Sequence, residues 1–307
     1  MFRRIGGWVS LALEHLDPAV REDVGRPEQE RIDVLGRPKW IGYSRARDLT
    51  HELEAVLRHP KIHRMPNRLI VGETNNGKTT LANRFAQAHR LETDTGLKVR
   101  VLLVQAPPVP DENRFYAQVL QALNAPYRPQ ESAARRQVQV LHLLKSIHLE
   151  MLVIDEIHHI VAGHDRKQRH FLNMLKCLGN DLQIPLIGLG TLDALRAVQT
   201  DPQMSNRFEP MAIPKWEWGR EFRMLLASFE RLIPLRKPSQ LAAEQLGKKL
   251  LALSEGTIGE LSILLNRAAA QAIRTGHEQI DLQIVAKTNY IPPSERRKQT
   301  EQLVNAI

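Results

Sequence analysis

Gly72-Glu73-Thr74-Asn75-Asn76-Gly77-Lys78-Thr79 is the stretch that leaves this chain least freedom in how it folds. It follows the apolar run Leu69-Ile70-Val71, leads into Leu81-Ala82-Asn83-Arg84-Phe85-Ala86, and matches G-x-x-x-x-G-K-[ST]. A strand ending in such a loop turns backbone N–H groups inward toward an anion. Gly72 and Gly77 allow backbone paths that a Cβ obstructs. Lys78 supplies an ammonium for β- and γ-phosphates, and the Thr79 hydroxyl, with Thr80 beside it, is placed for Mg²⁺. The expected ligand of residues 72–80 is a nucleoside triphosphate.

A second chemical signal is Met151-Leu152-Val153-Ile154-Asp155-Glu156, four apolar residues that read as a buried strand ended by two carboxylates. Ligands of a parallel sheet sit at the carboxyl ends of its strands, so these acids are expected beside the phosphate loop. There Asp155 would hold Mg²⁺, and Glu156 would orient or deprotonate the attacking water. His158, His159, His164 and His170 invite a metal reading. Adjacent helical positions point about 100° apart, however, which is not the i, i+4 spacing of zinc sites on helices, so surface or supporting roles are expected.

Ile184-Pro185-Leu186-Ile187-Gly188-Leu189-Gly190-Thr191 reads as another buried strand. Thr191 either holds the attacking water and senses the γ-phosphate, or caps a helix over residues 192–198, or both. Asp201-Pro202-Gln203-Met204-Ser205-Asn206-Arg207-Phe208 then carries one arginine at a helix end. Its guanidinium suits the charge on a transferring phosphoryl and can be supplied by a neighbouring subunit.

The surrounding pattern is β-α-β-α-α, with residues 97–104 as a second strand, and the economical fold is α/β, a parallel sheet sandwiched by helices. Trp40-Ile41-Gly42-Tyr43 precedes a helix from Ser44 whose Leu49, Leu53, Val56 and Leu57 share a face. Ile41 and Gly42 are candidate contacts for the nucleotide base, or else Trp40 and Tyr43 simply pack the core. From Trp216 onward only helical periodicity is present. The expected domains are an extension over residues 1–38 that wraps the core or meets a partner, a nucleotide-binding domain over 39–215, a helical lid over 216–290, and a mobile polar tail over 291–307.

The 307 residues suffice for such a core plus a smaller domain, and a lone cysteine, Cys177, excludes an internal disulfide framework and fits a reducing compartment. The N-terminal apolar run is interrupted by Gly6, Gly7 and Ser10 and reads as a short amphipathic segment, so a cytoplasmic location is expected. A net charge of +9 favours a polyanionic partner. Arg114, Arg135 and Arg136 are candidate contacts.

Together the phosphate loop, Val153-Ile154-Asp155-Glu156-Ile157-His158, the helix from Leu172-Asn173 to Leu178-Gly179-Asn180, Gly188-Leu189-Gly190-Thr191 and the segment ending in Asn206-Arg207-Phe208 resemble the TniB family, AAA+ ATPases of transposons similar to the TnsC regulators. The resemblance covers roughly residues 38–270. It implies an ATP- and Mg²⁺-dependent homo-oligomer, a ring or filament on duplex DNA, that links target choice to a DDE transposase and possesses a target-selection partner. It makes Gly72 to Thr79 the Walker A motif, Asp155 and Glu156 Walker B, Thr191 sensor 1 and Arg207 the arginine finger. Glu260 stands where many AAA+ proteins carry a sensor 2 arginine, which implies slow turnover and leaves a nucleotide-gated adaptor as the second reading. A helper of secretion or replication initiation is a third.

Overall fold

The computed structural model describes residues 13–93, 96–162, 165–199 and 205–305. The amphipathic N-terminal segment, His164 and Asp201 through Met204 therefore lie outside the described residues. The chain divides into two compact units, one formed by Arg45–Pro214 and the other by the residues up to Ser44 together with those from Lys215 onward.

The first unit is built on a parallel sheet of five strands in the order β4-β5-β6-β1-β7. Its strands are β1 (Asn67–Gly72), β4 (Val101–Gln105), β5 (Met151–Asp155), β6 (Leu186–Gly190) and β7 (Phe208–Ile213). β1, β5 and β6 are buried almost throughout, as their continuous apolar sequences require in a sheet covered on both faces. The register pairs Val71 with Gly190, Ile154 with Gly188 and Gln105 with Asp155, which brings their carboxyl ends to one edge. At the opposite edge buried Asn67 keeps β6 in line by accepting the Leu186 N–H at 2.9 Å. Phe115 and Phe171 meet edge to face at 5.6 Å in the core of the unit, between helices Glu112–Ala122 and Asp165–Leu182.

Two strand assignments differ from the periodicity. The expected strand over 97–104 is broken at Arg100 into β3 (Gly96–Val99), which pairs with β2 (Arg90–Thr93) as an antiparallel hairpin, and β4 in the main sheet. Arg100 is pinned there: its guanidinium donates to Glu150 at 2.9 and 2.7 Å, and its carbonyl accepts from both Glu150 and Met151. β7 falls partly in the stretch read as a helix end. Its Pro210 cannot donate to a ladder, and the strand lies at the sheet edge, where that loss is tolerated.

The second unit is helical. Helices Arg220–Arg231, Glu244–Ser254, Ile258–Arg274 and Leu282–Lys287 enclose a core that includes Phe222, Leu226, Leu250, Leu264 and Ile284. The N-terminal residues, expected to wrap a core or meet a partner, contribute to this unit from Leu13 onward. Helix Glu28–Leu35 sends Arg31 inside, where it donates to Glu278 at 2.8 and 2.6 Å and to the Pro234 carbonyl at 2.7 Å. Lys39 is bonded to the Leu35 carbonyl and Asn266, and burial lowers its pKa to about 8. The tail expected to be mobile carries the helix Pro293–Asn305, which buries no side chain. Among the described residues no helix is long and apolar enough to cross a membrane.

Burial raises the Glu278 pKa, but the Arg31 guanidinium and the Arg236 N–H more than offset it, so the carboxyl stays below its ordinary value. A group depressed in the folded state adds stability above its unfolded pKa and loses it as pH falls through the folded one. Replacing Arg31 with Ala is expected to cost about 3–5 kcal/mol, because a buried carboxylate loses its partner. Urea unfolding at neutral pH should show this, with the difference from wild type shrinking as Glu278 protonates in acid.

Candidate nucleotide site

The geometry of the site begins with close backbone approach. A Cβ added to Gly72 would lie 2.9 Å from the Ile213 carbonyl oxygen and 3.2 Å from its Cβ, so only glycine lets β1 end against β7 here. The chain then turns through Asn75 (φ 61) and Gly77 (φ 84), both left-handed, and enters helix Lys78–Ala88. Leu81, Ala82, Phe85 and Ala86 form that helix's buried face, leaving Thr79 and Thr80 exposed at its first turn.

Within the loop, Glu73, Thr74 and Asn75 are exposed and Asn76 is buried. The Asn76 amide donates to the carbonyls of Ile213 at 3.2 Å and Pro214 at 2.9 Å, anchoring the loop to the end of β7. Lys78 is folded back, its ammonium donating to the carbonyls of Gly72 and Glu73, both at 2.8 Å. Burial lowers the Lys78 pKa, while Glu156, Asp155 and Glu73 act in the opposite direction. The cation is therefore held in a crevice of acidic and carbonyl oxygens.

The Thr79 hydroxyl donates to Asp155 Oδ2 at 2.7 Å, so the phosphate-loop helix reaches across β6 to the end of β5. Asp155 Oδ1 accepts the Glu156 N–H at 2.8 Å. Glu156 itself has a left-handed backbone (φ 55), a conformation that costs a non-glycine residue about 1–3 kcal/mol and marks a position under structural constraint. Its carboxylate lies 3.1 Å from His158 Nδ1, on the 3₁₀ turn Ile157–Ala162. Thr191 follows β6, between β5 and β1 in strand order. Its carbonyl accepts the Ala194 N–H, but its buried Oγ1 has no hydrogen-bond partner and makes no cap bond.

Arg207 donates to Asn180 at 3.1 Å, and burial, with Arg64 nearby, weakens its hold on its proton. Ile41 is buried in the core of the helical unit and Gly42 is exposed beside Tyr43, whose ring packs edge-on against Trp216 at 5.0 Å. Glu260, also in the helical unit, accepts from the Tyr290 hydroxyl and the Arg296 guanidinium. Arg136 is not available to a DNA strand. It is buried, donates to Asn113, Arg128 and Pro129 at 2.8 to 3.2 Å, and lies over the Tyr127 ring. Arg114 and Arg135 are exposed. The contact of Glu156 with His158 had no signal in sequence spacing, because it depends on the left-handed turn at Glu156.

A parallel sheet in this strand order, a glycine-bounded phosphate loop and an acid pair two strands away define a P-loop ATPase fold of the AAA+ class. The chain belongs to the bacterial TniB family, described as "Bacterial TniB protein", which matches residues 31–218. It is 26% identical over 267 residues to the chaperone protein ClpB of Meiothermus ruber, covering 83% of this chain and 28% of that one. The chain thus spans less than a third of that relative. Among solved structures it is similar to the Aeropyrum pernix ORC2 protein in its ADPNP-ADP complexes, with TM-score 0.61, 17% identity and coverage of 83% of this chain and 70% of the other. It is also similar to the Aeropyrum pernix ORC1 protein in complex with DNA, with TM-score 0.58, 16% identity and coverage of 84% and 68%. At these identities the likeness is one of fold.

Replacing Asn76 with Ala is expected to destabilise the protein by about 1–3 kcal/mol, since two carbonyls lose their donor in a buried setting. Urea unfolding should register the loss, and nucleotide affinity should fall with it as the loop loosens.

Proposed function

We infer that this chain is an ATP-hydrolysing regulator of transposition that oligomerises on duplex DNA and links the target DNA to a DDE transposase, hydrolysis driving its disassembly. The observation that carries the reading is the alignment of Lys78, Thr79, Asp155, Glu156 and Thr191 along one sheet edge in a TniB-family chain.

The residues suit ATP and Mg²⁺. Thr79 and Asp155 present a hydroxyl and a carboxylate 2.7 Å apart, oxygen donors of the kind a hard ion takes, and would hold the metal together. When bound, the ion neutralises phosphate charge. The loop from Gly72 to Thr80 offers backbone N–H groups to the phosphates, and Lys78 exchanges its two carbonyl contacts for phosphate oxygens. Glu156 orients the attacking water and takes its proton. Thr191 Oγ1, buried without a partner, is free to hold that water or to sense the terminal phosphate. Arg207 serves the site of a neighbouring subunit.

Net charge of +9 and the exposed Arg114 and Arg135 support a contact with the DNA backbone, which carries no base information. The DNA complex of the similar ORC1 fold is in keeping with that. A target-selection protein is the further partner this reading calls for. A second reading, a nucleotide-gated adaptor in which hydrolysis is incidental, is favoured by one observation. Glu260, at the position where an arginine would sense nucleotide, is an acid already engaged by Tyr290 and Arg296.

Turnover of ATP with and without duplex DNA separates the two readings: stimulation supports the regulator, an unresponsive basal rate the adaptor. Replacing Glu156 with Gln should preserve nucleotide binding, abolish hydrolysis and trap the assembly on DNA in electron micrographs; normal turnover by that variant sinks the assignment. Replacing Lys78 with Ala should remove about 1.5–3 kcal/mol of charge-assisted bonding, which is about ten- to a hundredfold in ATP affinity by equilibrium binding.

A further inference from the structure

The histidine pair after the acidic strand behaves differently in three dimensions from what its spacing suggests. Side chains on neighbouring positions of a regular α-helix diverge, but here Glu156 is left-handed and the next residues form a 3₁₀ turn. As a result one ligand atom each from Glu156, His158 and His159 falls within a 4.8 Å cluster. His158 Nδ1 and Glu156 Oε2 are 3.1 Å apart, while the nitrogen is buried and has no aligned hydrogen bond. Metal–ligand bonds of about 2.0–2.2 Å at a tetrahedral angle separate two donors by about 3.3 Å. Those two atoms therefore already have the spacing of neighbours on one zinc ion. The His158 and His159 rings lie 4.8 Å apart, so the second imidazole stands beside the first pair of donors. His159 Nδ1 faces the Ala106 carbonyl at 3.5 Å, so a proton on Nδ1 leaves Nε2 free as the ligand.

We propose that Glu156, His158 and His159 form a binding site for a borderline transition ion of the Zn²⁺ type, and that its occupation withdraws Glu156 from water activation and arrests ATP hydrolysis. Two imidazoles and one carboxylate are a zinc donor set with an open fourth position, whereas Mg²⁺ prefers oxygen alone. The side chains are part-exposed, His158 at 26% and Glu156 at 36%, and the His158 Nδ1 they enclose is turned toward the Glu156 carboxylate. Binding rests on these three side chains; the inhibitory effect also rests on the role given to Glu156 above.

The test uses the full chain carrying Cys177→Ser, because the exposed Cys177 thiol would bind zinc by itself. Chelator-stripped protein without nucleotide is titrated with ZnCl₂ against a zinc-responsive dye. A single zinc per chain is expected. Adding His158→Ala and His159→Ala should weaken it by more than the about 10–100-fold that loss of a mere outer partner costs. Equal affinity in the two proteins overturns the site. If the alanine variant fails to fold by circular dichroism, His158→Asn with His159→Gln is read in the same way. At saturating Mg²⁺ and ATP, zinc should then suppress turnover of the Cys177→Ser protein, reversibly on chelation, and leave the histidine variant's rate as it is without zinc. Zinc bound with turnover unaffected overturns the inhibitory role. Absence of all turnover in zinc-free protein counts against the proposed function, while the dye titration still decides the site.

Discussion

The hydrogen bond from Thr79 to Asp155 joins the first turn of the phosphate-loop helix to the end of a strand two places away in the sheet. At the same carboxyl edge the backbones approach more closely than side chains normally permit. Gly72 meets the Ile213 carbonyl where a Cβ would be 2.9 Å away, and a Cβ on Gly190 would lie 2.5 Å from that of Ala194. Dense packing at these points makes the edge stiff. Stiffness there matters because a charged ligand is held by groups that are already oriented and need little rearrangement.

Electrostatics at that edge are arranged around a single cation. Lys78 is buried, and the crevice compensates with the Gly72 and Glu73 carbonyls and the fields of Glu156, Asp155 and Glu73. Two of these acids, Asp155 and Glu156, are also those to which the proposed metal and water chemistry falls. Phosphate oxygens and Mg²⁺ arriving together would replace these contacts with a matched set of opposite charges, which is why loop and acids are best understood as one site.

The helical unit solves a different problem. It takes a charged N-terminal segment into its interior through Arg31, whose two terminal nitrogens donate to both oxygens of Glu278 and to a carbonyl. Planar, bidentate pairing makes a buried charge tolerable where a lone one is not. Glu260 is likewise neutralised inside the unit by Tyr290 and Arg296. Arg136 in the other unit is buried on neutral oxygens instead, the Asn113 amide and the carbonyls of Asn113, Arg128 and Pro129, which is how an arginine legible only as surface charge becomes a structural brace.

The residues alone determined the phosphate loop, the acidic strand, the parallel α/β architecture and the helical second part, because each is written in local chemistry: glycine spacing, apolar runs, and the change of period after Trp216. Tertiary structure alone decided the rest. The strand over 97–104 breaks because Arg100 pairs with a residue fifty positions on, β7 exists because an edge tolerates Pro210, and residues from Leu13 onward join the helical unit because Arg31 finds Glu278. Glu156, His158 and His159 converge only through a left-handed residue that no periodicity announces. Contacts of that kind depend on distances between elements far apart in the chain, and a sequence pattern with a period of two or 3.6 residues carries no information about them.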